Sequence, residues 1–316
     1  AVDATRTTLL IIAESLFSAD PRLTSADARR NIVAALDGIS EPRLQALLGL
    51  PMVPLSAKAR AGARGQRYLR ATLSELVDER MQGRTPGDDF LGRLISELSE
   101  RFPPEQARAL AVDNAATFYL AGHETTANAL AWTLYLLSEQ GEMQDALAEE
   151  AALALGSAEW DQQPVPASLP LLHAVLQESL RLYPPAPRFD RQAIGPDRLP
   201  NGEEVGRGDI LSVWPWLLHR SRRLWDNPDS FDPERFAPGK PKPDRYAYLP
   251  FGAGPRICVG AQFATTEALI VLANWLRGWR FRSTGRKVEV GGMITMRPRE
   301  GLPLRIERRS SLGALH

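Results

Sequence analysis

Cys258 is the only cysteine among 316 residues, and it stands in a run, FGAGPRICVGA from Phe251 to Ala261, that no regular element tolerates. One thiol makes no internal disulfide. With His123, His173, His219 and His316 scattered along the chain it makes no structural zinc site either, since such sites need several thiolates or imidazoles at close spacing. A lone cysteine is by default a small, inert, buried hydrophobe. Here Gly252, Gly254 and Pro255 enforce a loop, Gly260 follows the sulfur, and an apolar-periodic run begins at Ala261, which predicts a thiol on a loop at a helix start. Backbone N–H groups there, with Arg256 two residues before the sulfur, favour the thiolate that a soft metal ligand requires, and Phe251 is expected to pack near it. Phosphate binding, the other use of such a loop, fails on spacing. Ile257 stands where the dinucleotide fingerprint wants its third glycine, no apolar strand precedes, and no P-loop lysine is present.

Two further clusters bear on chemistry. A helical pattern from Pro104 to about Ser138, roughly 50 Å at the α-helical rise, is interrupted at Ala121-Gly122-His123-Glu124-Thr125-Thr126. A glycine, a carboxylate and two threonines inside a buried helix cost propensity. The bland reading is a threonine hydroxyl bonded back to the preceding turn. In the functional one, Gly122 lets a flat ligand approach the backbone while Glu124 and Thr125 supply protons and an ordered water to an oxygen bound there. Glu178 and Arg181, three apart on a helix predicted over about 169–182 and stopped by Pro184-Pro185, share one face. An exposed pair of that kind contributes a few tenths of a kcal/mol and no chemistry.

FGAGPRICVG resembles the haem-ligand loop of the cytochrome P450 family, Phe-x-x-Gly-x-Arg-x-Cys-x-Gly, at every fixed position. AGHETT is similar to the oxygen-activation segment of the same family, and Glu178-x-x-Arg181 with FDPERF, which contains Arg235, resembles its buried ion-pair triad. The resemblance implies a mainly α fold with small β elements and haem b (iron protoporphyrin IX) held by Cys258 as iron ligand. It also implies Arg256, Phe251, Gly252, Gly260, Ala121, Gly122, Arg191 and His219 around the cofactor, the last two and Arg256 at its propionates. Glu124 and Thr125 are the expected catalytic pair, and Leu120, Ala186, Arg188 and Ile294 the expected substrate contacts. His123 is expected to pack rather than ligate. The implied reaction is dioxygen-dependent oxidation of a small apolar substrate. Its electrons come from a ferredoxin or flavodoxin type donor with its own reductase, since no flavin or iron–sulfur motif occurs in the chain. Arg220, Arg222, Arg223, Lys240, Lys242 and Arg245 form a candidate basic docking patch.

Lysine plus arginine balances aspartate plus glutamate at 38 each, which gives no footing for nucleic acid, and a 44% hydrophobic composition supports a sizeable core. No linker, repeat or charge block divides the sequence, so residues 1–316 read as one domain, and no run of about 18 apolar residues is present. The chain opens inside an amphipathic helical pattern without an initiator methionine. Set beside the family, it is expected to lack the first quarter to third of the fold. Helices are expected near 5–17 (closed by Asp20-Pro21), 25–40, 56–82, 142–155 and 261–276, with short turns over 90–101. Strands are expected near 188–194 and 209–214, with turns at Pro200-Asn201-Gly202 and Gly291-Gly292 and a frayed tail after Arg308. Two other readings belong to other classes: a haem carrier or sensor without turnover, and a haem-free structural remnant in which Cys258 is merely buried.

Overall fold

The structure is a computed structural model that describes residues 2–39, 56–85, 87–157, 164–292 and 295–309. Its Cα positions divide into two compact units, Val2–Ala127 and Asn128–His316.

Among the described residues the first unit forms helices without strands: α1 (Val2–Phe17), α2 (Pro21–Thr24), α3 (Ala26–Ile39), α4 (Ala57–Met81), α5 (Phe90–Arg101) and the first two thirds of α6 (Pro104–Leu137). Asp20-Pro21, expected to close α1, instead opens α2. The Asp20 carboxylate accepts the Arg22 N–H as an N-cap, and proline at the first helical position gives up an N–H that had no helical partner. Residues 90–101 form one continuous helix rather than separate turns, capped by Asp89 accepting the Gly92 N–H. Helices α3 and α4 approach so closely that a Cβ on Gly65 would stand 2.1 Å from the Asn31 carbonyl oxygen, and one on Gly62 would stand 2.6 Å from the Gly38 Cα. The core joins Leu9, Ile12 and Phe17 of α1 to Leu69, Leu73 and Val77 of α4, and all six are buried. Tyr119 of α6 completes it, its hydroxyl donating to the Leu23 carbonyl at 2.7 Å.

Among the described residues the second unit takes the end of α6 and packs α7 (Gly141–Gly156), α8 (Val165–Ser168), α9 (Pro170–Leu182), α10 (Pro215–Leu218) and α11 (Ala261–Gly278) with four two-stranded antiparallel sheets. Strands β1 (Phe189–Gln192) and β4 (Ile210–Val213) lie within the two expected strand segments and pair antiparallel, Arg191 opposite Leu211. Between them β2 (Asp197–Arg198) and β3 (Glu204–Val205) form a second small hairpin, turned at Leu199–Gly202 with Gly202 at φ +90°. The pairing of β5 (Trp279–Ser283) with β8 (Leu304–Arg308) has no signal in the sequence reading. The final hairpin joins β6 (Val290–Gly291) to β7 (Arg297–Pro298) with Gly292 at φ +105°. Arg309, the last described residue, is tied down: its guanidinium donates to Asp145 at 2.6 Å and to the Gln144 carbonyl at 2.8 Å. The tail expected beyond it lies outside the described residues. Among the described residues no helix is long and apolar enough to cross a membrane.

Candidate active site

Cys258 follows a single 3-10 turn, Gly254–Arg256, and precedes α11 by three residues. Gly252 (φ +73°) and Gly254 (φ +74°) adopt the left-handed conformation that a side chain resists, and nothing lies within 4 Å of where their Cβ atoms would stand. The loop closes on itself through the Cys258 N–H, which donates to the Phe251 carbonyl at 2.9 Å, and the Ile257 N–H, which donates to the Gly254 carbonyl at 3.0 Å. The thiol is exposed, not packed as a lone cysteine normally is. Apolar neighbours share that exposure: Ile257 at 59%, Val259 at 81% and Phe263 at 38%. Arg191 of β1 reaches the same loop, its guanidinium 3.5 Å from the Ala253 carbonyl oxygen and over the Phe189 ring.

What holds this loop is a buried polar scaffold behind it. Arg181 and Glu178 are wholly buried on α9 and form a two-pronged ion pair at 2.7 and 2.8 Å. The remaining Arg181 N–H groups donate to the carbonyls of His219, Pro228 and Ser230, so all five guanidinium donors are used. Glu178 also accepts the Asp232 N–H at 2.9 Å. Arg235 joins as third member at 3.5 Å from Glu178, an ionic contact only, because its Nε makes no hydrogen bond; its Nη2 donates to the Asn227 carbonyl. Glu178 and Arg181 are therefore a buried pair with Arg235 at its edge, and not an exposed surface pair.

His219 does not serve as a propionate contact as expected. It is fully buried and both ring nitrogens are taken. Nδ1–H donates to the Arg181 carbonyl at 3.1 Å, and Nε2 accepts the Leu249 N–H at 2.8 Å, which fixes one neutral tautomer. Burial, with the Arg181 and Arg220 charges nearby, pushes its pKa down to about 4. Tyr248 adds a second tie, its hydroxyl donating to the Gln177 carbonyl at 2.9 Å. Tyr248 and Leu249 thus fasten the entrance of the Cys258 loop to α9, a role the sequence marks only by an aromatic and a leucine ahead of Phe251.

In the first unit, the Ala121–Thr126 segment remains α-helical. Its carbonyls carry extra bonds: Thr125 Oγ1 donates to Ala121 at 2.8 Å and Thr126 Oγ1 to Gly122 at 3.1 Å. Gly122 does not open the backbone to a flat ligand. A Cβ there would stand 2.6 Å from Ile12 Cδ1, so the missing side chain makes room for α1. His123 packs as expected: it is wholly buried, its Nδ1–H donates to the Tyr119 carbonyl at 2.8 Å, and burial lowers its pKa. Thr117 and Ala121 are exposed, and Glu124, Thr125 and Leu120 are half-buried. At 100° per residue Ala121 and Glu124 lie opposite Gly122 and His123, with Thr125 on the flank, so the expected catalytic pair is on the helix face away from the core.

Of the expected substrate contacts, Ala186 and Arg188 are exposed. Arg188 pairs with Asp190 at 3.2 Å and lies over the Trp214 ring. Ile294 lies outside the described residues. Its hairpin is anchored by the Met296 N–H donating to the Pro185 carbonyl and by Trp132 Nε1–H donating to the Met296 carbonyl. Of the six candidate docking cations, Arg220 is packed between the Tyr183 and Trp216 rings and is no free surface charge. Lys240, Lys242 and Arg245 line a groove of about 460 Å3 with His173 and Tyr248.

The cytochrome P450 family model matches residues 2–301. Among curated relatives, human cytochrome P450 4F8 is 33% identical over 253 residues, covering 77% of this chain and 47% of that protein. Putative cytochrome P450 132 of Mycobacterium tuberculosis is 34% identical over 238 residues, 74% of this chain and 50% of its own. The pig taurochenodeoxycholic 6 alpha-hydroxylase is 35% identical over 196 residues, 61% of this chain and 38% of its own. The chain thus spans about half the length or less of the curated relatives it matches. With a family model over nearly all its length, an exposed cysteine on the glycine loop and the buried Glu178–Arg181 pair behind it, the chain belongs to the cytochrome P450 family.

Proposed function

We propose that both units together form one cytochrome P450 domain, and that it is the haem-binding and oxygen-activating part of a monooxygenase acting on a small apolar substrate. The observation that carries this reading is the Cys258 loop: a solvent-open thiol in a chain that could have buried it, ringed by exposed apolar side chains and two arginines. These residues fit a haem. The open space over Gly252 and Gly254 accommodates a flat apolar group, Ile257 and Phe263 offer apolar cover, and Arg191 and Arg256 offer cations for its two carboxylates. Cys258 is the only thiol in the sequence, which supports thiolate ligation of haem b. When bound, a haem would supply the dioxygen-activating chemistry by which one oxygen atom enters a C–H or C=C bond and the other leaves as water, with two electrons from the donor and two protons.

This chain's residues do the rest. Thr125 Oγ1 spends its proton on the Ala121 carbonyl, which leaves oxygen lone pairs to accept a bond from an ordered water. Glu124, one residue before it on the open face, relays protons to that water. The Glu178–Arg181 pair and the His219–Leu249 bond keep the sulfur's loop rigid, so the ligand needs no reorganisation. Electrons come from a separate ferredoxin or flavodoxin type donor. Its docking surface includes Arg222, Arg223, Lys240, Lys242 and Arg245, all exposed.

Thr125→Ala tests turnover against simple haem carriage. Supplied with electrons by a surrogate ferredoxin and reductase, the variant is expected to divert most electron pairs from product to peroxide, because losing a general acid–base group slows the productive step by about 10²–10⁴. A carrier or sensor would show the same peroxide yield with and without the hydroxyl.

A further inference from the structure

The hydroxyl of Thr8, wholly buried on α1, stands 2.9 Å from the carbonyl oxygen of His123, 115 residues away in sequence. It also lies 3.1 Å from the Ala4 carbonyl and 3.3 Å from the Thr5 carbonyl on its own helix. One hydroxyl has one proton, so these three acceptors compete, and the shortest contact is the one across the helices. A threonine in a helix can always satisfy itself on the preceding turn, and Thr133 does so on Ala129. Thr8 is placed where it can instead bond a different helix.

A second contact, one turn further along α1, makes the placement specific. Ile12 fills the space where a Gly122 side chain would stand. Thr8 and Ile12 therefore seat α1 against the consecutive residues Gly122 and His123. Those two, with Tyr119 and Thr126, occupy the face of α6 opposite Ala121 and Glu124. The carbonyls of Ala121, Gly122 and His123 each take an extra hydroxyl bond: the first two from Thr125 and Thr126 of α6 itself, the third from Thr8.

We propose that Thr8 is a positioning residue for the oxygen-activating segment. It pins the His123 carbonyl from behind, and so sets the rotation of the turn that presents Glu124 and Thr125. The proposal rests on the function proposed above for that pair. It assigns no chemistry to Thr8 itself: the hydroxyl touches neither substrate nor cofactor and acts through the His123 backbone.

The test uses the full haem-loaded chain with Thr8→Val, which keeps the shape and removes the donor, and Thr8→Ser, which keeps the donor. Deuterium exchange into the segment 119–128 reads the pin directly and needs no turnover. The expectation is about fivefold to tenfold faster exchange in Thr8→Val, the size of one buried hydrogen bond, with wild-type exchange restored in Thr8→Ser and no change across 69–77 of α4. Peroxide released per electron pair should rise in Thr8→Val, in the direction of Thr125→Ala, and return in Thr8→Ser. Unchanged exchange in Thr8→Val overturns the pin. Faster exchange with an unchanged peroxide yield, while Thr125→Ala raises it, overturns the positioning role and leaves a packing contact. If Thr125→Ala itself leaves the peroxide yield unchanged, the proposed function fails, and the exchange comparison still decides whether Thr8 holds His123.

Discussion

Arg181 and His219 carry the least forgiving chemistry of single side chains. A guanidinium with no exposure persists only because Glu178 matches its charge and three carbonyls take its other donors; a lysine could supply neither the fork nor five bonds. His219 is the pH-sensitive counterpart. Its folded pKa of about 4 lies below the ordinary 6.5, so between those values the unfolded chain binds a proton that the folded chain does not. Its contribution is full above pH 6.5 and is lost as pH falls toward 4, about 3 kcal/mol in all. His219→Gln keeps an acceptor for the Leu249 N–H and removes the titration. Urea unfolding at pH 7 and pH 4.5 should show a smaller acid loss in the variant than in the parent. Equal losses in both would show that His219 is not held neutral.

Among the helices, the α3–α4 crossing is set by glycine and not by large side chains. Gly65 is buried against the Asn31 carbonyl, and backbone cannot yield as a flexible side chain does. Gly65→Ala should cost at least about 2 kcal/mol through forced separation of the two helices. Gly141→Ala, at the start of α7 with open space around it, should be neutral or stabilising by about 0.5 kcal/mol. Denaturant midpoints in the same order for both variants would contradict this packing. Most of these elements were readable from apolar period and caps, because a helix with one buried face declares itself in sequence. The α3 and α4 ranges agree with the pattern to within a residue or so at each end. The β5–β8 pairing was not readable: it joins strands 20 residues apart whose charged, outward positions hide the alternation. Asp20-Pro21 is ambiguous in sequence because proline stops one helix and starts the next equally well.

For the molecule as a whole, the site residues divide by how their roles are encoded. Cys258, its glycines and the Glu178–Arg181 spacing are local, so sequence displayed them. The uses of His219 and Gly122 depend on what packs against them, Leu249 in one case and Ile12 in the other, and no spacing rule carries that information. The Arg188 contact with Asp190, two residues on, is likewise a matter of packing and not of spacing. Electron delivery is also a property of the whole surface. Single replacement of Lys240, Lys242 or Arg245 by glutamate should slow reduction by a ferredoxin at low salt and lose that effect at high salt. Rates unaffected by all three would exclude this groove as the docking site.

The central claim is that the Cys258 thiolate holds haem iron, and the carbon monoxide difference spectrum of the reduced, haem-loaded chain reads it most directly. A Cys258 thiolate ligand gives a Soret band shifted far to the red, lost on Cys258→Ser. A band at the position given by nitrogen-ligated haem, or a red-shifted band that survives Cys258→Ser, would contradict it.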